Sequence, residues 1–599
     1  MRSLVERLRR DPGLAAVVLA VAAVIALYAP TLGRGLVDYD DSFMIADNWI
    51  VQDLSWSSLR TIFFDIDLTS PARFALSPEY LPVRDVSIML DVAIWGDWYP
   101  GFHLTNLTLY LAAIVVWFAA FEAFGIERKV AGLAILVWAV HPTHAESVAW
   151  LAERKGLLAA LFTGVASLGY ARFRAGRDAR WLALAALTAV AAVWSKAPAV
   201  FAIAALAGLE LALPLKRVSR MRSLVGLAVL ALVSAAAFVP VVYLATSSSV
   251  IGTDAAGPAS RIAMVFGVHG FYLQLAAMVH SNAVSYPISL EGPSVVQIAL
   301  GVVGVGLALV AAFAPRRYAW SPSDALRAAA IFWLVTLLPF SHAIVPLQMI
   351  VVADRYMLFP TLGLALGFAV VSLRISSVRA RRALIGVVVV AAAMRTCDAQ
   401  SNWRDGRTLW ERATQSNPGD GEAWSAYADA LTKAGDPAAA MLATSRGLKL
   451  SRAPRLLLRK ALILIEHGYR RDGLRAMRDA AEAGEARAMS NLALLLLEVG
   501  QNNEAIEWSR RGAVAMPMYA PAMRALGRVA LATGNTAEAL TAFTRTFALE
   551  PRSCTNRYNL ALAQIASGIT TEARELIRDC AGNFVLGERV RAMLETLPP

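Results

Sequence analysis

Two patterns share this chain and together restrict its fold: a succession of apolar runs of membrane length up to Met394, then a helical repeat to the C-terminus. A bilayer core about 30 Å thick requires roughly 20 apolar residues in a helix, and a helix satisfies its own backbone there. Residues 13–32, 102–124, 130–148, 156–170, 181–195, 197–213, 224–245, 295–313, 328–345, 356–373 and 383–394 meet or approach that description, which predicts about eleven transmembrane helices. Hydrophobic residues make up 57% of the chain and charged ones 17%, more apolar material than a soluble domain can hide from water.

The formal charge of +12 would suggest nucleic acid in a soluble chain. Here the arginines cluster in short loops between apolar runs, as cytoplasmic anchors do, so the sequence predicts no nucleic-acid partner. The opening MRSLVERLRR resembles the start of a signal peptide, but the run after it is membrane-length and lacks a small-residue cleavage site; it reads as an uncleaved first helix. With the basic N-terminus inside, the loops at 172–180, 216–222, 316–317 and 374–382 all fall on the cytoplasmic side, provided that the chain turns back at Lys196. Residues 262–279 are apolar enough to cross, but crossing there would reverse the later loops, so they are expected at the interface or as a re-entrant segment. The last span, 383–394, is the shortest and needs Arg381, Arg382 and Arg395 to snorkel. Eleven spans put everything after Cys397 outside, the periplasm in a bacterial-style cytoplasmic membrane.

Beyond a linker at 399–416, Gly435, Gly468, Gly500, Gly534 and Gly568 each sit in the same pattern of small and large residues, with last intervals of 32, 34 and 34. Leu526 with Gly527 and Leu560 with Ala561 mark the first helix of the clearest repeats, and Ala539 and Ala573 the second. Pro517 and Pro551 close successive units. The pattern resembles the tetratricopeptide repeat, five units forming an α-solenoid that takes peptides or protein partners on its concave face. Cys554 and Cys580 fall where the ends of one helical hairpin meet. A disulfide suits a periplasmic domain, and two buried thiols suit it as well. No Cys/His spacing indicates zinc.

The loop at 33–101 carries eleven acidic residues against four arginines, unlike the basic loops. It faces outward and is the expected catalytic loop. It opens VDYDDSFMIADNW, with Asp38, Asp40 and Asp41 near head-group depth. Clustered carboxylates raise one another's pKa, which suits a base that takes a hydroxyl proton, although a solvated acidic loop would also obey the sidedness. The strings around Arg84 and His103, around His141, His144, Glu146, Arg154 and Lys155, around Lys196, and around Asp354 and Arg355 each adjoin a span. The histidines with Glu146 read as a hydrogen-bonding cluster rather than a metal site, since a fourth ligand of suitable spacing is missing. Arg355, Lys196 and Arg84 read as ligands for a lipid phosphate, against snorkelling or an ion pair such as Asp354 with Arg355.

YDD at Tyr39 to Asp41, VRDVSIMLD with GFHLTNL, HPTHAESVAWLAERK at His141 to Lys155 and ADRYMLFP at Ala353 to Pro360 resemble the transmembrane and tetratricopeptide-repeat-containing O-mannosyltransferases, which are GT-C glycosyltransferases, and their bacterial relatives. The family usually has an acidic residue after the lysine matching Lys196; this chain has Ala197. The resemblance implies an all-α architecture: a polytopic GT-C-type transferase domain over 1–398 and a tetratricopeptide-repeat domain over 417–599. It implies an inverting transfer of a monosaccharide, mannose in the eukaryotic relatives, from a polyprenyl-phosphate carrier to a Ser or Thr hydroxyl of an exported protein. By position Asp40 or Asp41 is the base, and Arg355 with Lys196 holds the donor phosphate. No cofactor is expected, a divalent metal stays open, and the partners are the lipid-linked donor, a protein or peptide acceptor brought by the repeats, and membrane lipid. Two other readings fit less of the sequence: a membrane-anchored repeat scaffold for envelope assembly, and a lipid-linked sugar transporter.

Overall fold

The computed structural model describes residues 6–8, 10–213, 219–247, 257–286, 288, 292–313, 322–344 and 351–597. Its regular elements are all helical, with no strand among the described residues. The chain divides into two compact units. One holds residues 1–45, 54–66 and 78–416; the other holds 46–53, 67–77 and 417–599.

In the first unit six helical segments are long and apolar enough to cross a membrane: Pro12–Gly33, Tyr99–Ala123, Leu151–Arg174, Arg220–Thr246, Val295–Phe313 and Val378–Ser401. Three apolar helices are shorter: Arg180–Ser195, Ala199–Ala212 and Pro360–Leu373. Each boundary has a local cause. Asp11 caps the first helix by accepting from the Leu14 amide, and Pro12 occupies the position where no amide hydrogen is needed. The helix breaks at Lys196, which is extended between Arg180–Ser195 and Ala199–Ala212. The last apolar segment is stronger than its 12-residue core suggested, because the helix runs for 24 residues from Val378 to Ser401.

Residues 130–148, read from sequence as one span, are instead a broken element. Arg128–Ala139 ends before His141, whose extended backbone is what the following Pro142 requires. Short helical turns at Pro142–His144, Ala145–Ala149 and Leu151–Glu153 then carry the chain into Arg154–Arg174. Pro258–Ala276, at the segment expected to be interfacial or re-entrant, is a continuous helix of 19 residues. It lies directly on Val295–Phe313: a Cβ on Gly270 would stand 1.8 Å from the Gln297 carbonyl oxygen, and one on Gly301 1.8 Å from that of Phe266. Two glycines thus bring backbones into contact, the packing that small residues allow between apolar helices.

In the second unit five helical hairpins follow in order: Gly421–Lys433 with Pro437–Leu450, Pro454–Glu466 with Arg470–Glu482, Ala486–Glu498 with Asn502–Ala515, Ala520–Ala532 with Thr536–Leu549, and Cys554–Ala566 with Thr570–Ile577. The five glycines found in the sequence sit between the two helices of each hairpin with φ from 77° to 84°, the left-handed conformation that ends a helix cheaply only at glycine. Ala428, Ala440, Ala461, Ala493, Ala505, Ala539, Ala561 and Ala573 are fully buried at the crossings. Cys554 and Cys580 are disulfide-bonded. Residues 46–53 and 67–77 of the long first loop belong to this unit too. There Arg545 donates to the Thr69 carbonyl at 3.0 Å, Arg552 lies 4.0 Å from Asp53, and Pro71–Ala75 forms a short helix.

Candidate active site

The candidate site residues named from the sequence all lie in the first unit. Pro82 starts the Pro82–Trp95 helix and sets Arg84 and Asp85 in its first turn, both buried. Tyr99–Ala123 turns a polar stripe inward, His103, Asn106 and Tyr110, at helical spacing. The broken stretch from His141 to Glu153 delivers His141, His144, Glu146 and Glu153, and the turn at Asp354–Met357 supplies Asp354 and Arg355.

Asp41 and Asp40 are adjacent in sequence but not in circumstance. Asp41 is fully buried: one carboxylate oxygen accepts from the Val37 amide and the other from the Ala152 amide, each at 2.9 Å. It pins the loop to the start of the Leu151–Arg174 segment. Burial pushes its pKa up to about 7, against the pull of those two amides. Asp40 is partly exposed, and its carboxylate has no hydrogen bond or ion pair among the described residues. Burial raises its pKa, opposed by Lys155, Arg355 and Arg84, while Glu79 adds to the rise.

Those cations form a cluster, each held by an acid. Glu146 accepts from the Arg355 main-chain amide at 2.8 Å and also from its guanidinium. The Arg355 guanidinium stands over the rings of Trp150 and Tyr356, at 5.6 and 5.1 Å. Lys196 donates to Glu153, whose other oxygen is 4.0 Å from Arg355. Lys155 donates to Glu79 at 2.7 Å, and Arg84 lies 3.5 Å from Glu79 and 2.7 Å from Asp85. Desolvation would raise the Glu79 pKa, but Lys155 and Arg84 outweigh it and hold the group at about 2. Lys155 is the least enclosed of these four cations, its side chain 16% exposed and its partner Glu79 45% exposed.

Other members of the set do different work. Arg154 is a strut: it donates to Asn106 at 2.8 Å and to the Phe102 carbonyl at 3.0 Å, and lies 2.5 Å from Asp91. His103 meets the Gly35 carbonyl at 3.4 Å. His144 bridges Tyr110 and Thr361, at 2.7 and 2.8 Å, and His141 bridges Thr143 and the Ala276 carbonyl. Asp354 is not Arg355's partner; it accepts from Asn282 at 2.7 Å and Tyr286 at 2.5 Å. Among the described residues no three His, Cys, Asp or Glu side chains are grouped as metal ligands would be.

Sequence reasoning missed Glu79 and Glu153, the carboxylates that face Lys155 and Lys196, and the aromatic stack behind the acidic motif. Tyr39 lies on Trp150 with centroids 4.9 Å apart, and Trp150 on Trp403 at 5.2 Å. Glu153 stood within the HPTHAESVAWLAERK string, and Ala197 was the signal that Lys196 must find its carboxylate elsewhere. Nothing in the loop's spacing singled out Glu79.

A family profile described as tetratricopeptide repeat matches residues 398–452 and 524–583. The human protein O-mannosyl-transferase TMTC3 is 30% identical over 158 residues, 26% of this chain and 17% of the relative. The Drosophila melanogaster protein O-mannosyl-transferase Tmtc2 is 31% identical over 181 residues, 28% of this chain and 18% of that one. The matches thus span less than a fifth of the relatives' own length. Among solved structures, PilW, a type IV pilus biogenesis factor, is 18% identical over 35% of this chain and 96% of its own, with a TM-score of 0.27. Over the matched stretches the chain is similar to protein O-mannosyl-transferases, and its C-terminal part matches the tetratricopeptide repeat.

Proposed function

We propose that this chain is a GT-C-type membrane mannosyltransferase. It moves mannose from a polyprenyl-phosphate carrier to a Ser or Thr hydroxyl of an exported protein, with inversion, on the outer face of a bacterial cytoplasmic membrane. Residues 1–398 carry the chemistry and residues 417–599 present the acceptor. The observation that carries the reading is Asp40: a partly exposed carboxylate with no hydrogen-bond partner among the described residues, in the field of Lys155, Arg355 and Arg84.

Asp40 takes the proton of the acceptor hydroxyl as its oxygen attacks the anomeric carbon. The bond from that carbon to the phosphate oxygen breaks, and the lipid phosphate leaves with the electron pair. Lys155 and the edge of Arg355 stabilise the charge that collects there, with Lys196 behind them, and fixed cations cost no reorganisation at that moment. Asp41 does not exchange the proton. Held by two backbone amides, it fixes the loop that aims Asp40.

The test is transfer from radiolabelled polyprenyl-phosphate mannose by detergent-purified protein, beside Asp40→Asn. Wild-type release or transfer of label, lost in the variant, supports the reading. A folded wild type that cleaves none of a panel of lipid-phosphate sugars, with membrane extract as acceptor, would falsify it and favour the scaffold.

A further inference from the structure

The first unit contains a cavity of about 330 Å³, built from the segment around His280–Tyr286 and from the end of the last apolar helix and the chain after it, Asp398 to Ser416. Its volume is that of an ordinary ligand site. Asn402 lines it and is 96% removed from solvent, since its relative exposure is 4%. The side-chain nitrogen of Asn402 donates to the Asn282 carbonyl at 3.0 Å, but its side-chain oxygen has no hydrogen-bond partner among the described residues. A buried amide oxygen left without a donor is costly, so it marks a place where an N–H or O–H from outside belongs.

Asn402 and Asn282 also line a small void with Glu146 and Asp354, and Asn282 donates to Asp354, the neighbour of Arg355. The cavity therefore reaches the candidate active site through two carboxamides. Its chemistry does not suit the lipid-linked donor. Arg412, the one Lys or Arg among the described residues of its lining, is already paired with Asp398, 3.5 Å away, and so is not a free cation for the donor phosphate. Sugars favour an open aromatic face, and the Tyr286 ring is instead packed edge-on against Phe271 with its hydroxyl on Asp354. Carboxamides and hydroxyls facing a cavity match the alternating donors and acceptors of an extended backbone.

We infer that this cavity is the acceptor subsite, which binds the backbone of a Ser/Thr-bearing peptide in extended form, with Asn402 accepting a peptide N–H. The inference rests on the transferase reading for the use of the peptide, though not for its binding.

Two measurements on the full-length protein test it. The first is photo-crosslinking of a nine-residue Ala/Ser/Thr peptide carrying a diazirine, mapped by mass spectrometry. Crosslinks are expected on residues 280–286 and 398–416, weakened about tenfold by Asn402→Leu, the size of one hydrogen bond. The exposed Gln415→Ala, which does not threaten the fold, weakens them too. The second compares peptide mannosylation with cleavage of the donor by water; in both variants the first falls more than the second. Crosslinks elsewhere, none at all, or transfer to an oligosaccharide that these variants impair equally would overturn the subsite. Crosslinks in the expected place without any donor cleavage would retain the subsite and remove the transferase reading.

Discussion

Glu146 holds Arg355 at two points, one carboxylate oxygen on its main-chain amide and the other on its guanidinium, across 209 residues of sequence. Both residues are more than nine-tenths buried. The pair therefore couples the broken helix after His141 to the turn before Pro360.

Removing the acid should cost more than removing the ion pair as a whole. Glu146→Gln takes from a buried cation its closest counter-charge and leaves only Glu153, 4.0 Å away, a loss of up to about 3–5 kcal/mol. Thermal unfolding in detergent should show a large fall for Glu146→Gln and a smaller one for the double variant Glu146→Gln, Arg355→Met. Equal falls would mean that the two groups do not compensate one another.

Asp41 predicts a pH dependence. Its pKa in the folded chain is about 7, against an ordinary value of about 3.9. The folded state thus holds a proton that the unfolded chain has released, and the stability linked to Asp41 is full below about pH 4 and is lost as pH rises to about 7. Melting temperatures taken from pH 4 to 8 should decline across that window, and Asp41→Asn should flatten the decline. A slope unchanged by the substitution would remove Asp41 as its source.

Asp40 is expected to behave as a base and Asp41 as an anchor. Asp40→Asn should lower kcat by about 10² to 10⁴ with little change in melting temperature. Asp41→Asn should shift the melting profile as well as the rate. If Asp41→Asn leaves the acid limb of the pH–rate profile in place, the limb belongs to Asp40.

The repeats were legible because their signal is local. A glycine forced to positive φ and an alanine at a helix crossing recur at fixed spacing, and Gly435 to Gly568 adopt the backbone that the pattern required. The apolar helices were legible from composition, but their ends were not: one proline, Pro142, split the segment at 130–148. The site was half legible. Charged residues at helix ends stand out against an apolar background, which is why Asp40, Lys155, Lys196 and Arg355 could be named. Which acid faces which base depends on contacts 43 to 209 residues apart, such as Lys196 with Glu153, and no periodicity carries that information. The pairing of Asp354 with Asn282 and Tyr286 rather than Arg355 is of the same kind.

Lys155 gives the last prediction. Among the described residues its ammonium makes a direct bond to Glu79, of 2.7 Å, and Glu79 is nearly half exposed. A donor phosphate can compete for this lysine at less cost than for Arg355 or Lys196, whose carboxylates are buried and fixed. Lys155→Ala should therefore raise the KM for the lipid donor by roughly tenfold, the loss of one charge-assisted contact. Glu79→Gln should do the opposite, lowering that KM by releasing the ammonium. Initial rates over a range of donor concentrations check both. A rise in KM in both variants would mean that Glu79 positions Lys155 for the phosphate instead of competing with it.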